Sequence, residues 1–104
     1  MLKFKKINFS EYIMDKCKFK AWEFFRDANF NIKPLKPKLL SEGLIKVNLQ
    51  LHIIGRQNKP DYTYDLDGEN CFLFSLSGEM LRKPDRGKII SKVEEVKSEY
   101  NQAF

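Results

Sequence analysis

Carboxylates are the side chains best placed to do chemistry in this chain: Asp61, Asp65, Asp67 and Glu69 fall close together, and Asp85 follows 18 residues after Asp67. Asp65 and Asp67, two apart on an extended segment, project to the same side. Such a pair can hold a hard cation such as Mg²⁺, and two ions bridged by such groups cleave phosphodiesters in many nucleases. The competing reading is an acidic rim on a hairpin of a soluble domain, where charge discourages strands from pairing with other chains. That reading is preferred. The single histidine, His52, sits on the polar side of an alternating segment, with no second histidine at metal-ligand spacing and no cysteine nearby. It therefore completes neither a metal site nor a base beside a nucleophile. The Gly-x-Ser-x-Gly elbow and both phosphate-cradling glycine loops are absent. Cys17 and Cys71 lie far apart without Cys-x-x-Cys spacing and read as buried thiols. No catalytic residue, metal ligand or cofactor is assigned.

An alternating strand, then Asp-x-Asp, then a third aspartate resembles the pattern of RusA-type Holliday-junction resolvases, over Asp65, Asp67 and Asp85 alone. The resemblance implies a metal-dependent nuclease in which these three residues hold the cation. The chain departs from that pattern at Gly68 and at Phe72-Leu73-Phe74, which favour a strand where the family opens a helix. Cys71 stands where the family has a lysine.

Charge is sorted along the 104 residues: net +6 over residues 1–40, −3 over 41–80 and +2 over 81–104. Such sorting produces a field with a positive and a negative side, which steers partners without naming them. The basic part carries aromatics among its lysines. With a pI near 9.2, these are the ingredients for phosphate contacts plus base stacking. Lysine neutralises phosphate without reading bases, and only four of the 19 basic residues are arginine. Any nucleic-acid binding is therefore expected to be sequence-tolerant.

The elements that must position these residues follow from periodicity. Leu2 to Ile7 alternates as a short edge strand, and Asn8 with Glu11 forms a capping box for a helix over residues 9–29. Phe9, Ile13, Cys17, Ala21, Phe24 and Ala28 share its core-facing stripe, with Met14 and Phe25 on the shoulder. Tyr12, Phe19 and Trp22 fall on another flank, with Glu11, Asp15 and Arg26. Lys16 to Ala21 also alternates with period two, so a strand is the alternative there. Residues 31–43, with Pro34 and Pro37, read as an extended basic connector. Leu44 to Ile54 is a long half-buried strand with Ile45, Val47, Leu49, Leu51 and Ile53 on one face. A polar loop over 55–60 leads to strands at 62–67 and 71–77, with Asp67-Gly68 as the turn of a meander. Residues 83–88 form a second loop, and Ser91 with Glu94 opens a last, short helix.

These signals predict one α+β domain spanning 1–104, an antiparallel sheet of three to five strands packed by a long N-terminal helix, with a short C-terminal helix closing one end. No apolar run approaches the ~20 residues that span a bilayer, so the chain is expected in the cytoplasm and away from membranes. The expected role is a small non-catalytic binding protein, an accessory or inhibitory protein of the phage or mobile-element type, docking onto a larger macromolecular partner, a protein first, with a nucleic-acid-handling complex as one option. The phage-like part of that expectation rests on size and composition alone. Tyr12, Lys16, Phe19, Lys20, Trp22 and Arg26 are the basic-aromatic side of the expected interface. Asp61, Asp65, Asp67 and Glu69 are its acidic side, able to meet a basic groove. A homodimer burying the aromatic flank is a further option. The alternatives are direct non-specific nucleic-acid binding by residues 1–38 and the nuclease through Asp65, Asp67 and Asp85.

Overall fold

The clearest alternation in the sequence becomes the axis of the sheet. A computed structural model describes residues 9–26 and 31–104; the expected strand at 2–7 and the Asn8 end of the capping box lie outside them. The element order is α1 (Phe9–Phe24), β1 (Ile32–Pro34), β2 (Lys38–Leu39), β3 (Leu44–Ile53), β4 (Tyr62–Ser75), β5 (Met80–Arg82) and α2 (Arg86–Ala103). All strand pairings are antiparallel, and the sheet runs β1-β3-β4-β5 with β2 also on β3. The fold is α+β, as expected.

Ile45, Val47, Leu49 and Leu51 point from β3 into the core, and Leu66, Phe72 and Phe74 join them from β4. Ile13, Cys17, Ala21 and Phe25 enter from the α1 side, and Ile89, Val93 and Val96 from α2. Both helices thus share one continuous core. Edge-to-face rings bind the end of α1 to the sheet: Phe24 and Phe72 lie 5.4 Å apart at 81°, and Phe25 and Phe72 6.2 Å apart at 82°. Cys17 and Cys71 are free and buried, and burial pushes the Cys17 thiol pKa up, against the smaller opposing pull of Lys20 and Lys16.

Residues 16–21 are helical, the first of the two readings: Cys17 and Ala21 are fully buried, while Phe19, which a strand would place on their face, is 56% exposed. Other expectations are corrected. The helix closes at Phe24, tightening through i to i−3 bonds from the Phe25 and Arg26 amides to the Trp22 and Glu23 carbonyls, and the expected stretch over 27–29 lies outside the described residues. The connector at 31–43 holds two short strands, β1 and β2, both paired to β3, and Pro34 closes the β1 register opposite Leu49. This end-of-strand position is one that proline tolerates.

No hairpin forms at Asp67-Gly68. Leu66 pairs with Leu49 and Cys71 pairs with the adjacent Asn48, so residues 67–70 bulge out of one continuous 14-residue strand. Gly68, at φ 65°, provides the left-handed step, but the chain resumes its direction instead of reversing. β5 was not expected. The last helix is longer than α1 and begins five residues before Ser91: the Asp85 side chain accepts the Lys88 amide at 3.1 Å, so Asp85 is the N-cap.

Candidate partner-binding groove

Helix geometry divides α1 into two faces. At about 100° per residue, Tyr12, Phe19 and Trp22 cluster within about 80° of its circumference, roughly opposite Ile13, Cys17 and Ala21. The core absorbs the second set and leaves the first in solvent: Tyr12 is 53% exposed, Phe19 56% and Trp22 42%. Phe19 and Trp22 lie 5.7 Å apart, their planes inclined by 33°. They form one wall of a shallow groove of about 420 Å³ between α1 and β1, with Asp15, Lys18, Lys33 and Pro34 as its other lining residues.

The pairing of β1 with β3 completes the groove, because it sets Lys33 opposite Gln50 and Pro34 opposite Leu49. Sequence reading found the two rings. It missed Lys18, although four residues before Trp22 is one helical turn and the same side. It placed Lys33 and Pro34 in a basic connector, and nothing local in the sequence ties that connector to α1.

The other expected residues have varied surroundings. The Lys16 ammonium sits 5.8 Å from the centre of the Tyr12 ring, a cation–π contact on the exposed face. Lys20 is turned inward: its ammonium donates to the Gly78 carbonyl at 2.7 Å, tying α1 to the β4–β5 turn. Arg26 is exposed just past the helix end.

The hairpin expected to carry the acidic residues is replaced by the bulge, and Asp61, Asp65 and Glu69 each have a separate partner. Asp61 accepts the Gly55 amide at 2.7 Å and organises the β3–β4 loop. Asp65 accepts from the Gln50 amide group at 2.6 Å across the sheet. Glu69 faces Arg82 at 3.6 Å, an exposed ion pair of small energetic value. Asp67 lies in the bulge. Asp85 spends its carboxylate on the α2 cap, so of the three aspartates of the nuclease reading, two have structural partners. Among the described residues no group of three His, Cys, Asp or Glu side chains could hold a metal ion, and no helix is long and apolar enough to cross a membrane.

The groove offers an apolar floor with cations on both banks and no nucleophile–base pair. Neither a known protein family, nor a curated protein, nor a solved structure matches the chain.

Proposed function

We propose that the chain is a small non-catalytic binding protein that docks onto a larger protein through the α1–β1 groove. One observation carries this reading. Two large rings, Phe19 and Trp22, stand half-exposed side by side on the face of α1 turned from the core, and lysines from two separate elements flank them. Together with Tyr12 they leave on the order of 300 Å² of aromatic surface in water, about the size of the largest apolar patch on an ordinary monomer and often a functional one. Tyr and Trp are favoured as anchors because they bring large contact area with few rotors.

Lys18 and Lys33 select the partner's chemistry. The occupant that fits is an apolar side chain flanked by carboxylates, which would bury against the rings while its charges meet the two ammonium groups. The accessory or inhibitory role is one that this mode of docking serves. A cytoplasmic location fits the free thiols of Cys17 and Cys71, which an oxidising compartment would put at risk.

A photo-crosslinking residue placed at Phe19 is expected to trap a discrete protein adduct in the source cells, and the same residue placed at Ser91, on the exposed side of α2, is expected not to. Loss of that adduct on Trp22→Ser or Lys33→Glu assigns it to the groove. Identical adducts from positions 19 and 91 would sink the proposal.

Direct nucleic-acid binding is the second reading, and a specific observation favours it. Lys38 on β2 lies directly opposite Lys46 on β3, and the row continues through Leu73 of β4 to Arg82 of β5, which also faces Glu69, so two cations of the row are directly opposed on one sheet face. Like charges directly opposed cost stability and suit a polyanion. Titration with single-stranded and duplex oligonucleotides at two salt concentrations separates the readings, since phosphate binding must weaken steeply with salt.

A further inference from the structure

Away from the aromatic groove, a second concavity of about 270 Å³ lies between the β3–β4 loop and α2, lined by Ile53, Ile54, Arg56, Lys59, Lys97 and Tyr100, with Asn101 at its margin. Three of these side chains are cations drawn from two elements about 40 residues apart in sequence, and none of its lining residues is a carboxylate. None of the three cations makes an ion pair among the described residues.

The loop that carries two of them is held in place. Gly55 approaches the Lys59 and Pro60 backbone so closely that a β-carbon there would collide with the Lys59 carbonyl oxygen. Its amide donates to Asp61 at 2.7 Å, the Lys59 amide donates to the Arg56 carbonyl at 3.1 Å, and the Tyr100 hydroxyl donates to the Pro60 carbonyl at 2.7 Å. Gln57 and Asn58 both adopt left-handed backbone, at φ 55° and 70°, at the loop tip. Asn tolerates that conformation and Gln does so less readily, and the bond from the Lys59 amide to the Arg56 carbonyl closes the turn that they form. Like charges assembled on so constrained a frame repel one another unless an anion lies between them.

We infer that this cleft binds the phosphate group of a small phosphorylated ligand. Arg56 supplies the planar fork suited to two phosphate oxygens, and Lys59 and Lys97 act as point charges on either side. Ile54, 69% exposed, forms an apolar wall beside the charged end, where the rest of the ligand can rest. The partial negative charge at the end of α2 opposes the anion, but about half a unit there is outweighed by three whole positive charges. Asp61 is occupied by the Gly55 amide and belongs to the loop's frame.

Calorimetry with inorganic pyrophosphate at low ionic strength is expected to show saturable one-to-one binding, with amide shifts in a ¹H–¹⁵N spectrum centred on Arg56, Lys59 and Lys97. Arg56→Ala and Lys97→Ala should each weaken it about threefold or more, since a charge-assisted hydrogen bond at an exposed site is lost. The double variant should lose it. A control double, Lys36→Ala with Lys88→Ala, removes the same net charge elsewhere and should keep the affinity within about twofold. Absence of saturable binding, equal loss from both doubles, or binding of a single-stranded oligonucleotide without pyrophosphate would each overturn the inference. Comparing pyrophosphate with a nucleoside triphosphate tests the apolar wall, because tighter triphosphate binding that falls on Ile54→Ser is the expected result and indifference to Ile54→Ser refutes that part.

Discussion

Trp22 is the only tryptophan of the chain and stands 42% exposed in the proposed docking groove, so its fluorescence reads the local electrostatics directly. Lys18 and Lys33 flank it against the single carboxylate of Asp15, leaving a net local charge of about one positive unit. A unit charge about 7 Å away contributes about 0.6 kcal/mol in water. Screening over a Debye length of about 8 Å reduces this to about 0.25 kcal/mol. Iodide should then be enriched at the ring about 1.5-fold and caesium depleted by the same factor. Relative to a free tryptophan analogue, the ratio of iodide to caesium quenching constants should be roughly 2. The double variant Lys18→Glu, Lys33→Glu turns the local charge from about +1 to about −3 and should drive that ratio well below one, whereas Lys88→Glu on α2 should scarcely move it. Stern–Volmer titrations at constant ionic strength measure all three proteins. A wild-type ratio of one, unchanged by the double reversal, would show that the lysines do not act at Trp22 and would remove the charge selection on which the choice of partner rests.

Truncating Phe19 to alanine should leave unfolding free energy within about 0.5 kcal/mol of the parent, whereas Leu49→Ala, in the centre of the core, should cost about 3 kcal/mol by urea denaturation. Asp85→Ala should cost about 1 kcal/mol and fray the start of α2, seen as faster amide exchange at Lys88. Cys17 supplies a pH prediction. Its thiol is raised above the ordinary 9.0 by burial, so its share of stability is present in full below about pH 9 and is lost as pH rises through the folded value. Cys17→Ala should be less stable than the parent at pH 7 and should lose less on going to pH 10.5.

Much of the fold was legible because local chemistry and tertiary demand agreed. β3 alternates so regularly that no other element fits residues 44–53, and its buried side is the one read from the pattern. The aromatic flank of α1 was also legible, since 3.6-residue periodicity assigns Ile13, Cys17 and Ala21 to one side and leaves Tyr12, Phe19 and Trp22 on another. The start of α2 was misplaced because two capping signals compete, Asp85 and Ser91. Pro84 and Gly87 look like loop residues, yet Pro84 lies just outside the helix and Gly87 is tolerated in its first turn.

What the amino-acid order determined by itself is which side of each element is apolar, for that depends on neighbours a few positions away. Whether Asp67-Gly68 reverses the chain was decided elsewhere. The dipeptide permits a left-handed step, but β3 is long enough to pair with both halves of β4, and continuing along it satisfies backbone groups that a hairpin would have left for another strand. The groove was likewise decided in three dimensions: Lys33 and Pro34 reach Phe19 and Trp22 only because β1 pairs beside the strand on which α1 packs. Periodicity can say that a ring is surplus to the core. Only the packing of distant segments says what stands next to it.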